Sequence, residues 1–356
     1  MKFGIAIPTD SDSWRLVRRA EELGFHHAWF YDTQMLSADP FVAMAACAMK
    51  TTRIRLGTGV LVPSGRVAAV TANAFASLNK LAPGRLDFGI GTGFSARRAM
   101  GLGAMKLVDM EDYIRVVQAL WRGETVETEI EGKRRLIQFL NPELGLINTH
   151  DEMPLYIAAT GPKARALTAR LKAGWIDGAP SVPRSLAALE AMRTVWNAAG
   201  HSREALNATA WTGGAVLEPG EPADSARALA QAGPRAATML HRAADEAMAG
   251  HANNAPLPPA FAEAVNGYVA MARNFRPRGA YYLNNHRGHL MFVRDDERPF
   301  LSADLIQATT WTAPEAELRQ RVEMLREAGF SQVVFSILPN QEHAIEDWGR
   351  IRRAFA

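Results

Sequence analysis

The sequence has a single cysteine, Cys47, among 356 residues, which excludes any disulfide within the chain. Cys47 lies in an alanine-rich apolar stretch, where a small buried thiol is the ordinary state. No window approaches the roughly 18 to 20 uninterrupted apolar residues of a membrane-spanning helix, so no membrane partner is expected. The opening Met1-Lys2-Phe3-Gly4-Ile5-Ala6-Ile7-Pro8 lacks the basic leader and cleavage site of a secretory signal, and the expectation is a cytoplasmic protein starting at Met1. Excess charge of one sign is also missing. The formal net charge is +3, and the arginines are scattered beside carboxylates instead of clustering with exposed aromatics, so nucleic acid is not an expected partner. There is no repeat of fixed period and no low-complexity linker, so residues 1–356 read as one domain, and 48% hydrophobic content is ample for its core.

What is present is an alternation of short β-rich apolar runs with amphipathic segments, the pattern of parallel strands joined by helices. The runs begin at Phe3, His27, Ile54, Leu86, Pro154, Trp175, Ala208 and Gln332, which predicts an α/β fold, a (β/α)8 or TIM barrel. Asp39-Pro40 opens a helix carrying Cys47. Val67, Val70, Ala74, Leu78 and Leu81 predict one buried helical stripe, and Met110, Tyr113, Val117 and Leu120 predict another. A minimal barrel needs about 250 residues. The excess falls in two interruptions of the pattern, at about 124–152 and 220–312, read as insertions at the C-terminal face.

In such a barrel the chemistry follows the C-terminal ends of the strands. Glycines at 57, 59, 89, 91 and 93 remove side chains where a flat ring could lie against the backbone. Each alone reads better as a strand-end turn, but together they predict a cofactor platform. Gly91-Thr92-Gly93 is no dinucleotide fingerprint, since the third glycine is missing. Ala159-Thr160-Gly161-Pro162-Lys163 leads into a helix whose free N–H groups, with the threonine hydroxyl and the lysine, suit a phosphate as well as simple helix initiation.

The runs Glu22-Leu23-Gly24-Phe25, Thr52 to Val60, Leu81 to Gly93 and Ile157 to Ala164 resemble the bacterial luciferase-like, flavin-dependent oxidoreductases. The likeness is greatest to the branch containing methylenetetrahydromethanopterin reductase, and it covers about the first 180 residues in order. It implies a cofactor ring on the strand ends, held by Gly59, Val60, Gly91, Thr92, Gly93 and residues 159–163, with a non-prolyl cis peptide at Gly59-Val60. It also implies a homodimer or higher homo-oligomer. Deazaflavin-dependent relatives commonly carry Asp-His after strand two. Here Asp32-Thr33-Gln34 keeps the aspartate and lacks the histidine, and Gln34 can hydrogen-bond but cannot titrate.

Asp32, Gln34 and His286 are the catalytic candidates, with His289 a further acid or base in Asn284-Asn285-His286-Arg287-Gly288-His289. A His-x-x-His pair also suits a metal, but no cysteine or second ligand pair accompanies it, so none is expected. Trp211, Tyr281, Tyr282, Phe292 and Trp311 suggest a partly apolar substrate pocket; His26 and His27 read as structural, His150 and His251 as loop residues. The leading reading is an oxidoreductase that uses reduced FMN to oxygenate or reduce a small organic substrate. The alternative is a hydride-transfer enzyme using coenzyme F420. In either case a separate flavin or F420 reductase is the partner that recharges the cofactor. A flavin carrier without catalysis is the third reading, which turnover by pure protein would remove.

Overall fold

Strands that are packed between helices must bury both faces, and the apolar runs of this chain do so. In the computed structural model, which describes residues 1–250 and 257–356, they are β1 (Lys2–Ile7), β2 (His27–Phe30), β3 (Arg55–Thr58), β4 (Leu86–Ile90), β5 (Leu155–Ala158), β6 (Gly174–Gly178), β7 (Ala208–Thr212) and β8 (Gln332–Ser336). Every residue of β2, β4, β7 and β8 is buried. All pair in parallel in chain order, and β1 closes the barrel by pairing with both β2 and β8, Gly4 opposite His27 and Lys2 opposite Gln332. This is the (β/α)8 fold expected from the alternation. Inside the barrel lie Ala6, Trp29, Tyr31, Tyr156, Ile176, Trp211 and Val334.

The helices are α1 (Trp14–Glu22), α2 (Pro40–Lys50), α3 (Ala68–Leu81), α4 (Leu107–Trp121), α5 (Pro162–Arg170), α6 (Val182–Ala198), α7 (Ala226–Met248), α8 (Ala262–Ala272), α9 (Ala303–Thr309), α10 (Glu315–Ala328) and α11 (Ala344–Arg353). At α2 the Asp39 carboxylate accepts from the N–H groups of Phe41 and Val42 with Pro40 in the first turn, and Cys47 is buried, as expected. The α4 stripe is also buried as expected.

The α3 stripe is a correction. Val67, Val70 and Leu81 are 53%, 57% and 45% exposed, and the buried face is instead Ala68, Thr71, Ala72, Phe75, Ala76, Leu78 and Asn79. Small alanines let α3 approach its neighbours closely. Phe75 then fills the space, edge to face with Phe41, Phe88 and Trp121, while the Thr71 hydroxyl pairs with that of Tyr113.

The first insertion, 124–152, is a second correction. It joins α4 to β5 and therefore lies at the N-terminal end of the barrel, opposite the face where the chemistry of this fold sits. It forms an antiparallel hairpin, Val126–Ile130 with Lys133–Ile137, and is stitched beneath α3 by Asn79, which donates to the carbonyls of Asn148 and Asp151. The second insertion follows β7 and does cap the C-terminal face. Its α7, α8 and α9 share a small core around Leu240, Tyr268 and Leu305, separate from that of the barrel. His251 and Asn253-Asn254-Ala255-Pro256 lie outside the described residues.

The exchanged faces of α3 make a direct test. Phe75→Ala should lose about 3–5 kcal/mol of stability, whereas Val70→Ser should change it by less than about 0.5 kcal/mol. Urea unfolding followed by tryptophan fluorescence distinguishes the two, and equal losses would restore the valine stripe to the core.

Candidate active site

A cavity of about 390 Å³ opens at the C-terminal mouth of the barrel. A larger one, about 650 Å³, lies at the opposite end between Trp121, His150, Asp151 and Asn207, beneath the first insertion. The mouth cavity is the one that this architecture equips for chemistry, because the βα loops converge there.

Its floor is backbone. The peptide between Gly59 and Val60 is cis, as the resemblance implies, and Gly91, Thr92 and Gly93 run beside it. Gly93 has φ +81°, a left-handed conformation that starts the short helix Phe94–Arg98 and turns Phe94, Ser95 and Ala96 into the wall. Gly57 and Gly89 serve the barrel instead. A Cβ on Gly57 would stand 2.7 Å from the Trp29 ring, and one on Gly89 2.1 Å from the Thr58 carbonyl oxygen. So three of the five glycines face the cavity, and two make room inside the barrel.

The other expected cofactor residues divide similarly. Thr160 lines the cavity; Ala159 is buried, accepting from the Trp175 indole; Gly161, Pro162 and Lys163 lie beyond the wall, where Pro162 starts α5 with no side-chain cap. The α5 N-terminus thus remains open to an anion just outside the mouth.

Of the catalytic candidates only Asp32 reaches the cavity, and its carboxylate is already engaged. Oδ2 accepts from the Val62 N–H at 2.9 Å, and Arg66 donates to Oδ1 at 2.9 Å and to Oδ2 at 3.1 Å. It braces the loop carrying the Gly59–Val60 floor. Gln34 turns away towards the Met100 sulfur, and Thr33 takes the place on the wall. His286 is buried in the second insertion, bonded to Asp245, and does not line the cavity. His289 lies beside it and reaches the cavity only indirectly, through the Ser95 hydroxyl at 2.9 Å.

Among the aromatic residues expected in the pocket, Trp211 lines it and Trp311 is core; Tyr281 bonds to Asp245, Tyr282 packs on Gly101, and Phe292 is largely exposed. Tyr31, beside Trp211, donates its hydroxyl to Ser336, and burial raises its pKa. Sequence reasoning missed Arg235, which reaches the wall from α7. It forms no ion pair among the described residues, and burial pushes its guanidinium below the ordinary value. An arginine at helical spacing in an alanine-rich segment carries no signal of its own.

The sequence model of a family described as luciferase-like monooxygenase matches residues 1–332. The chain is 37% identical over 141 residues to an F420-dependent glucose-6-phosphate dehydrogenase of Beutenbergia cavernae, covering 37% of this chain and 40% of that protein. It is 30% identical over 216 residues to a 5,10-methylenetetrahydromethanopterin reductase of Archaeoglobus fulgidus, covering 59% of this chain and 63% of that protein. Both alignments thus span less than two thirds of the relative. The fold is similar to that of the coenzyme F420-dependent tetrahydromethanopterin reductase of Methanopyrus kandleri, with TM-score 0.70 and 20% identity over 98% of this chain and 97% of that one.

Behind the wall, between the lining residues Ile176 and Gly178, burial pushes the Asp177 carboxyl up to about 6. A carboxyl whose folded pKa is raised favours the folded state while protonated. Its contribution, up to about 3 kcal/mol, is complete below about pH 4 and lost as pH rises through about 6. Asp177→Asn should therefore gain stability over the wild type between about pH 4 and about pH 8. Urea unfolding at both pH values reads this, and a constant difference between the two proteins would show that Asp177 titrates normally.

Proposed function

The chain belongs to the luciferase-like monooxygenase family, and on that premise we propose that it is an oxidoreductase using coenzyme F420 to transfer hydride to or from a small organic substrate. The narrow preference for reduced FMN gives way here, because the similar proteins include an enzyme named F420-dependent glucose-6-phosphate dehydrogenase and one named 5,10-methylenetetrahydromethanopterin reductase. The observation that carries the reading is the glycine-rich floor at Gly59–Val60 and Gly91–Gly93, in a cavity that Arg235 also lines.

The residues present fit a flat, anionic cofactor. Gly59, Val60 and Gly91–Gly93 would support the ring, and Thr160 with the open α5 N-terminus and Lys163 would take a phosphate. When bound, F420 supplies a two-electron hydride couple whose ring reacts poorly with oxygen. The chain's own part is to position and shield. Val62, Phe94, Ile176, Trp211 and Leu290 exclude water from the cavity, and Arg235 places a cation in that partly apolar space, where it selects an anionic group of the substrate or cofactor.

Reduced FMN in an oxygenating enzyme is the second reading. It is favoured by the absence of a histidine after β2, where Tyr31, Asp32 and Thr33 line the cavity. A homo-oligomer is retained as part of the proposal, supported by the exposed Val42 and Met49 on α2.

Fluorescence titration of the purified protein with F420 and FMN, oxidised and reduced, tests the cofactor. Selective F420 binding is expected, and selective FMN binding would turn the assignment to the second reading. Arg235→Leu should weaken cofactor binding or raise the substrate KM by about 10-fold or more, the loss of roughly 1.4 kcal/mol or more. Unchanged constants for both would remove Arg235 from anion recognition.

A further inference from the structure

Three histidines from two separate stretches of the second insertion meet in one buried spot. His241 comes from α7, and His286 and His289 follow the short helix Tyr282–Asn285; each is 2% exposed or less. One ring nitrogen from each lies within 4.8 Å of the other two. The nitrogens that face inward are the Nδ1 atoms: His241 Nδ1 is 2.8 Å and His286 Nδ1 3.4 Å from His289 Nδ1.

The outward nitrogens are all held. His241 Nε2 meets Glu297 Oε1 at 2.5 Å, His286 Nε2 meets Asp245 Oδ2 at 3.0 Å, and His289 Nε2 meets Ser95 Oγ at 2.9 Å. The two carboxylates are themselves paired with cations, Asp245 with Arg98 at 2.8 Å and Glu297 with Arg294 at 2.6 Å. A carboxylate only accepts, so His241 and His286 must donate through Nε2, and a neutral imidazole that donates at one nitrogen presents a lone pair at the other. Two inward lone pairs are thereby set, and the third follows when His289 donates to the serine hydroxyl.

Three converging lone pairs repel unless a cation sits between them. We propose that His241, His286 and His289 form a binding site for one divalent transition-metal ion, of which zinc is the best match, contrary to the sequence expectation of no metal. Imidazole nitrogens suit zinc and its neighbours and do not suit magnesium or calcium. Tetrahedral bonds of about 2.0–2.1 Å set ligand nitrogens about 3.3 Å apart, so the 3.4 Å pair is already in place and the 2.8 Å pair opens by about half an ångström. Carboxylates behind ligating histidines are the arrangement that orients such rings and raises their basicity.

The ion would act as a clamp. It joins α7 to the 286–289 segment, and through Ser95 it ties both to the loop after β4. Ser95 and Leu290 line the mouth cavity and Arg235 is carried by α7, so a metal here would hold the cap in register over the floor. The alternative that the same geometry allows is a proton on His289 Nδ1, with Ser95 donating to Nε2. That network binds no metal.

The test is metal content and thermal stability of the whole chain, purified from zinc-supplemented culture and desalted. About one zinc per chain is expected. His241→Gln with His289→Gln should lose it, while His150→Gln, at the other end of the barrel, should keep it. To keep the test independent of how the double variant folds, wild-type protein is also treated with a chelator and reloaded with Co2+. A Tm that falls with the chelator and recovers with Co2+, together with the visible bands of four-coordinate cobalt, supports the site independently of any variant. Wild type that carries no transition metal and shows no Tm change with added Zn2+ or Co2+ would overturn the proposal in favour of the proton network. So would zinc retained by the folded double variant.

Discussion

The pairing of β1 with both β2 and β8 is the constraint from which the rest follows. Closure leaves no free strand edge and sends every βα connection to one end. It also leaves an interior that must be filled by side chains. Trp29, Tyr156 and Trp211 fill it, and rings of that size fit only where the backbone they meet gives up a Cβ: Gly57 on the neighbouring strand for Trp29, Gly174 on the neighbouring strand for Tyr156, and Gly59, after β3, for Trp211, whose ring a Cβ would meet at 2.4 Å. Gly59 thus answers to two demands at once. It admits the Trp211 ring and itself lines the mouth cavity, so any side chain there would displace that ring from the cavity wall.

The cap is held differently. The core that α7 shares with α8 and α9 is small and rich in alanine, so apolar burial alone supplies less there than in the barrel. Between this cap and the mouth of the barrel lies a dense polar layer of three histidines, Asp245, Glu297, Arg98, Arg294 and Asn285, all buried or nearly so. Buried charges are costly unless each finds its partner, and in this layer burial pushes Glu297 up to about 7 despite Arg294 beside it. Such a layer adds less to stability than it does to register, because a shift by one helical turn would strand every charge in it.

Strand positions were legible because strands buried on both faces write themselves as unbroken apolar runs. The α4 stripe was legible because its large residues are the buried ones. In α3 the same reading failed for a physical reason. Close helix packing prefers Ala72 and Ala76 at the contact, which a count of large apolar residues passes over, and the valines are left outside. The first insertion was found as an interruption, but which end of the barrel it occupies depends on whether it follows a strand or a helix. It follows α4, and that alone sends it to the N-terminal end. The motif glycines 59, 91 and 93 were legible as a set. Arg235 and His241 were not, since each is a single polar residue in an alanine-rich helix whose partners are distant in the chain.

Asp32 shows how a matched motif residue can keep its place while its role is read from geometry. A carboxylate that accepts from the Val62 N–H and, through both oxygens, from one Arg66 nitrogen is engaged in bracing, and moving it would release the loop that carries Val60 and Val62. With Gln34 turned outward and Asp32 engaged by Val62 and Arg66, the other titratable lining residues among those described are Arg235 and Tyr31, with Asp177 behind the wall. The arginine keeps its proton, and the tyrosine, raised by burial and bonded to Ser336, holds its own at neutral pH. Under the proposed hydride-transfer reading, the substrate would exchange its proton with water or with a hydroxyl such as that of Thr33. The site is poorly equipped for a reaction that needs a side-chain base at the reacting carbon.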